Sequence, residues 1–163
     1  QRLDVFAVLL KSVGMQLGQA LMQQAITTLT TTVGSTTAKA GSALAYSDLA
    51  TLYGKFSTYD MNLLLVSPKN AAAILAMSEM EDVVPVEQGQ VRLPFGTILC
   101  KVPQMSDTVI LGVDKNFALE MVTGSNLILE TDRLIENQLE AISVSLQCGF
   151  RVLTKNAVHK MTV

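Results

Sequence analysis

From Glu140 to Val152 the chain reads EAISVSLQCGFRV, and over the eleven residues from Ile142 to Val152 apolar and polar residues alternate without a break. Ile142, Val144, Leu146, Cys148, Phe150 and Val152 fall on one side, and Ser143, Ser145, Gln147, Gly149 and Arg151 on the other. Successive side chains of a strand point to opposite faces. The pattern therefore predicts one long strand with a buried face and a polar face, and Gly149 marks a candidate bulge. A strand of that length needs an equally long layer to lie on.

The N-terminal segment supplies one. Leu3, Phe6, Leu10, Val13, Leu17 and Leu21 recur at three- and four-residue steps, which predicts a helix from residue 3 to about residue 26, roughly 35 Å long. Gly14 and Gly18 interrupt it four apart. Each costs about 1 kcal/mol against alanine in an exposed helix, a cost that makes sense where another backbone crosses closely. Helix and strand together predict an elongated two-layer platform, with the shorter elements between 58 and 131 forming a compact lobe beside it.

Composition sharpens the picture. Hydrophobic residues make up 49% of the 163 positions and charged residues 16%, well under the usual quarter. Such a chain has either a very efficient core or surface hidden against other chains. The formal charge of −2 gives no electrostatic footprint for nucleic acid or an anionic membrane. No run of 18 apolar residues is free of polar interruption, so no membrane span is expected. Asp4 before the first apolar run and Lys11 within it argue against a signal peptide, and Gln1 as first residue reads as a fragment of a longer product. Cys100 and Cys148 stand alone, 48 apart, and are expected to be two reduced, buried thiols.

Between the long elements, residues 27–48 are rich in Thr, Ser, Gly and Ala, a linker or an extended crossing. A helix is expected at 48–57, capped by Ser47, with Leu49, Leu52, Tyr53 and Phe56 on one face. The stretch NLLLVSPKNAAAILAMSEMED (62–82) reads as a buried strand entering a helix capped by Ser67, with Pro68 in its first turn. That helix is expected to end in the acidic cluster Glu79, Glu81 and Asp82, unfavourably placed for the helix dipole. The cluster is either a solvated helix end, a patch facing basic groups of a neighbouring subunit, or a cation site. Pro85, Gly89, Pro94 and Gly96 then punctuate a loop-rich stretch before several short strands.

Nothing in this inventory makes an enzyme. His159 is the sole histidine, expected at the surface or partly packed, and cannot build a usual zinc site with two isolated cysteines. Gly54-Lys55 lacks the upstream glycine of a P-loop, and neither a Gly-x-Ser-x-Gly elbow nor a Gly-x-Gly-x-x-Gly loop occurs. The expectation is no catalysis, no metal and no cofactor. The eight methionines fill core gaps or form adaptable contact surfaces.

The order of these segments resembles the major capsid proteins of tailed bacteriophages, with the Hong Kong 97-type fold. The stripe from Leu3 to Leu21 looks like that family's spine helix. YSDLATLYGKFS is similar to its short second helix, and NLLLVSPKNAAAILAM to the strand and helix of its axial lobe. LPFGTILCKVPQM and TVILGVDKNFALEMVTGSNLILETD, with Gly112-Val113-Asp114, resemble the strands that follow. NQLEAISVSLQCGFRVLTKNAVHKM is similar to the closing strand, with Arg151 and Ala157 in the expected places. The resemblance covers nearly the whole chain, and its specificity lies in the succession of pieces. The family's N-terminal arm and extended hairpin do not precede the spine helix here, and the turn MSEMEDVVPVEQGQV departs from the usual one.

The resemblance implies an α+β fold with a peripheral lobe (1–58 and 132–163) and an axial lobe (59–131). It implies self-assembly into pentamers and hexamers of an icosahedral shell around double-stranded DNA, enclosed without specific binding and without a membrane. Portal and scaffolding proteins are the implied further partners, and the virion, made in the bacterial cytoplasm, the implied location. Glu79, Glu81, Asp82, Gly14 and Gly18 are the candidate interface residues. The rival expectations are an encapsulin-like nanocompartment subunit and an α+β binding module for an apolar ligand.

Overall fold

The computed structural model describes residues 2–81, 85–87, 90–134 and 139–163. Helix α1 runs from Arg2 to Thr31, five residues beyond its expected end. The threonines that favour strands are accommodated in the helix, each hydroxyl donating back one turn: Thr27 to Gln23 O (2.8 Å), Thr28 to Gln24 O (2.9 Å), Thr30 to Ile26 O and Thr31 to Thr27 O (both 2.7 Å). Ile26 and Leu29 in the same stretch are buried. Tertiary burial overrides propensity there.

A seven-stranded mixed sheet forms the centre. Its strands are β1 (Ser35–Ala38), β2 (Leu63–Val66), β3 (Pro85–Glu87), β4 (Gln90–Arg92), β5 (Ile98–Lys101), β6 (Val109–Val113) and β11 (Val158–Thr162), in the order β1-β11-β6-β2-β5-β4-β3. The pairs β1–β11 and β2–β5 are parallel and the others antiparallel. Side chains alternate between two cores, as the pleat requires. Leu64, Val66, Leu99, Ile110 and Met161 join Leu49, Leu52 and Ile74 in one. Leu65, Leu111, Val113 and Val158 join Ile26 and Leu29 in the other. Helices α2 (Tyr46–Tyr53) and α3 (Pro68–Leu75) thus cover one face, and the C-terminal end of α1 the other. Strands β1 and β11 and helix α2, from segments assigned by resemblance to the peripheral lobe, share this sheet and its cores with residues 59–131.

Two helix caps differ in outcome. Ser67 accepts from Asn70 N–H (3.3 Å) and Pro68 opens α3, as expected. At α2 the cap is not Ser47. The helix begins at Tyr46, and the buried Asp48 carboxylate accepts from the N–H groups of Ala45 and Ala40, both at 3.0 Å. The N-cap residue is Ala45, and Asp48, the third residue of the helix, closes back on its N–H.

The expected single strand over 140–152 is two strands, β9 (Leu139–Ser145) and β10 (Cys148–Val152), in separate antiparallel pairs with β8 (Ile128–Leu134) and β7 (Leu119–Thr123). Between the pairs, residues 124–127 on one side oppose 146–147 on the other, pinned by Gly124 N–H to Gln147 O at 2.8 Å. The irregularity sits there and not at Gly149, which pairs in register with Val122. The two pairs follow one another as a ribbon roughly 45 Å long at about 3.3 Å per residue. The alternation survives the break, with Ile142, Val144, Leu146, Cys148, Phe150 and Val152 all better covered than their odd-numbered neighbours. They are half-buried, not buried, because a two-stranded ribbon has no second sheet to close on.

Candidate assembly surfaces

The groups that could carry chemistry are already engaged inside the fold. His159 is buried against expectation: its Nδ1 lies 2.7 Å from Ser35 Oγ, and Phe56 packs edge-on at 4.5 Å between ring centres. Burial lowers its pKa, and nearby Lys55 adds to that, against the opposing effect of the Asn156 backbone. A buried, hydrogen-bonded imidazole that ties β1 to β11 is a structural group. Asp114 behaves alike. Its carboxylate, buried at the end of β6, accepts from Asn62 Nδ2 (2.9 Å), Asn116 N (3.0 Å) and Asp60 N (3.2 Å). Cys100 and Cys148 are free and only half-buried, and desolvation raises the Cys100 thiol pKa. Among the described residues no three His, Cys, Asp or Glu side chains are grouped to hold a metal ion.

The candidate interface residues fall in two places. Glu79 lies in a 3-10 turn (Ser78–Met80) beyond the end of α3, with Glu81 just after it, both exposed. The carboxylates therefore do not terminate an α-helix, and the expected dipole penalty does not arise. Met80, buried in the α2/α3 core, holds the turn in place, and Ser78 Oγ donates to Glu79 at 3.2 Å. Asp82 lies outside the described residues. Gly14 and Gly18 are exposed on α1, and a Cβ at either would meet open space. Among the described residues none makes the close crossing that their presence predicts.

What the molecule presents outward is apolar. Val5, Phe6, Val8, Leu9, Met15 and Met22 on α1 are exposed, as are Met121, Val122, Leu127, Ile128 and Leu129 on the ribbon. The low charge content agrees with this surface. On α1 the exposed apolar residues lie outside the stripe from Leu3 to Leu21, apart from Phe6 and Leu10, and share the helix surface with Lys11, Ser12, Gln16, Gln19 and Gln23. Val5–Thr31, 27 residues, is also long and apolar enough by length and composition alone to cross a membrane.

No protein-family model matches the sequence, and no curated protein is similar to it. The fold, however, is that of solved shell proteins. One is described as the capsid of an empty GTA particle, with TM-score 0.63, 16% identity, 80% of this chain and 49% of that one. A second is a virus-like particle from Pyrococcus furiosus, with TM-score 0.65 and 18% identity over 91% of this chain and 64% of that one. A third is the holo-SrpI encapsulin complex from Synechococcus elongatus, with TM-score 0.72 and 16% identity over 99% and 65%. The chain spans between about half and two thirds of the length of these structures. Its architecture is thus a mixed α+β fold of the capsid and encapsulin type.

Proposed function

We propose that the chain is a structural shell subunit: a major capsid protein of a tailed bacteriophage or prophage, with the Hong Kong 97-type fold. It assembles into pentamers and hexamers of an icosahedral shell around double-stranded DNA. The observation that carries this reading is the union of two facts. The fold overlaps shell subunits along most of its length, and the elements projecting from its core, α1 and the ribbon, leave apolar side chains uncovered. In this reading the compact lobe around the central sheet, with Glu79 and Glu81, faces its copies around the capsomer centre. The first turns of α1 and the ribbon meet neighbouring capsomers. The near-neutral charge suits a wall that encloses DNA without gripping its phosphates. Portal and scaffolding proteins are the further partners, the virion is the destination, and no catalytic role is included.

A second reading, an encapsulin-like compartment, draws on the overlap of 99% of the chain with the SrpI encapsulin. Electron microscopy of the full-length product distinguishes the outcomes. Closed shells with nuclease-protected DNA support the capsid, and closed shells with protein cargo support the compartment. A monodisperse monomer under all assembly conditions overturns both.

A further inference from the structure

His159 stands where α1 hands over to the central sheet, and its contacts come from both sides of that junction. From β1, Ser35 Oγ lies 2.7 Å from Nδ1. Just before β1, Gly34 passes so close that an added Cβ would come within 3.1 Å of the imidazole Cε1 and 2.6 Å of Lys155 O. From the segment after α2, Phe56 packs edge-on against the ring. Phe56 is itself seated on Gly112 of β6, where a Cβ would come within 3.1 Å of it. The imidazole is thus clasped between an anchored phenyl ring and the junction.

The surroundings do not favour a second ring proton. Burial works against the imidazolium first; the Asn156 backbone, in a 3-10 turn (Lys155–Ala157), favours it, and Lys55, of the same sign, opposes it. Lys155 in that turn is basic too, and Lys160, next along β11, reaches Thr30 O at the end of α1 (3.5 Å). On β6 the residue opposite is Gly112, and Asp114, two further along, is held by Asn62, Asp60 and Asn116. Strand β1 is the part of this arrangement that yields most easily. It is a four-residue edge strand paired with β11, and its Thr36 and Ala38 are exposed. Strands β2 and β6 lie between two neighbours and carry the buried Leu64, Ile110 and Leu111. Local opening draws on segments with few buried contacts.

We infer that His159 is a proton-operated latch between α1 and the central sheet. Neutral, it holds Gly34 and Ser35 against β11; protonated, it lets β1 part from β11 while the rest of the sheet stays closed. The neutral ring can accept the Ser35 hydroxyl proton at Nδ1, whereas in the imidazolium both nitrogens donate and Ser35 has to turn its hydrogen elsewhere. Lifting the edge strand brings water to the new charge without moving Phe56 off Gly112. Helix α1 then rests on Ile26 and Leu29 beneath the sheet. The latch is independent of whether the chain builds a shell.

Amide exchange and proton NMR of the full chain test it together, because the only histidine gives one set of ring signals. The N–H groups of Gly34 and Lys39 donate to Val158 O (2.8 Å) and Thr162 O (3.0 Å) and so report on the β1–β11 pairing. After correction for intrinsic rates, their protection is expected to fall by up to about tenfold from pH 7.5 to pH 5.5, the limit for one proton of ordinary pKa near 6.5. The fall should begin near pH 6.5 and level off as the folded ring titrates. The amides of β2 and β6 should keep their protection, and His159→Gln should abolish the fall at Gly34 and Lys39. An equal fall in β2 and β6 means that the sheet opens as a whole, and overturns the latch. So does a fall that persists in the variant, or no fall at all. If His159→Gln does not fold, the natural chain decides alone: levelling more than about one pH unit from the ring titration overturns the latch.

Discussion

Leu111 and Leu129 are both leucines in antiparallel pairing, yet Leu111 in the central sheet is 0% exposed and Leu129 in the ribbon 49%. The sheet has helices on one face and the end of α1 on the other, so each strand direction of the pleat finds a core. The ribbon has two strands and free edges, and only its end at β10 and β7 packs against α1 and the core. An isolated two-stranded hairpin is marginal in water, so the ribbon draws its stability from what it touches. One region is finished within the chain, and the other is finished by contact.

The comparison breaks most decisively in the sheet. Leu111→Asp places an unpaired charge between Ile26, Leu29 and Val158, and the chain is expected not to fold, since burying a charge costs many kcal/mol. Leu111→Ala should cost about 2–5 kcal/mol. Leu129→Ala should cost under about 1 kcal/mol in the free chain, because half of its side chain is in water already. Chemical denaturation measures all three, and equal costs for the two alanine variants would erase the distinction.

Next in size is the carboxylate that locks the end of β6. Asp114→Ala removes the acceptor of the Asn62 amide and of the N–H groups of Asp60 and Asn116; Asp60 and Asn116 are exposed and regain water, so the loss should be about 1–3 kcal/mol in all. Asp114→Asn keeps the shape and should recover part of the loss. The same measurement on Asp48→Ala should release the start of α2, at about 1 kcal/mol, as for other lost caps. Ser47→Ala should be near neutral.

Such residues show where the sequence was legible. Strand β2, the Ser67 cap and the α+β architecture follow from local pattern, because an apolar run, a capping serine and a first-turn proline act within a few residues of one another. The start of α2 was not readable in that way. Its N-cap, Ala45, has no polar side chain, and Asp48 inside the first turn takes the Ala45 N–H together with that of Ala40, a residue brought back by the fold. His159 was likewise opaque, since its partners Ser35 and Phe56 lie more than a hundred residues away. The candidate surface was legible in composition and not in position. Gly14 and Gly18 were found from spacing, whereas the exposed Val8, Met15 and Met22 fall outside the stripe that spacing picks out.

A smaller effect separates the regions by pH. Burial holds the His159 pKa below the ordinary value of 6.5, so the unfolded chain binds this proton more readily than the folded one. The stability contributed by the neutral ring is complete above about pH 6.5 and is lost as pH falls towards and through the folded-state value. Thermal melts between pH 7.5 and pH 5.5 should show a decline that His159→Gln reduces, with a slope no steeper than about 1.4 kcal/mol per pH unit for one proton. An unchanged decline in the variant would place its origin elsewhere.

The smallest expected difference in the free chain is the most informative about assembly. Strict alternation over 142–152 suggests that Val144→Asp costs several kcal/mol and Ser145→Asp nothing. Val144 is only half-buried, however, and its cross-strand neighbour Leu129 is exposed. A new carboxylate there keeps access to water, so the two variants should differ by under about 1 kcal/mol in the monomer. In assembled particles the alternation should reappear. If the apolar side of the ribbon is covered by a neighbour, Val144→Asp buries its charge on assembly and should abolish particles, while Ser145→Asp lets them form. Light scattering of both variants beside their denaturation curves makes the test. A large stability gap in the monomer would mean that the ribbon closes on its own chain. Equal assembly by both would mean that its apolar side stays in solvent even in the shell.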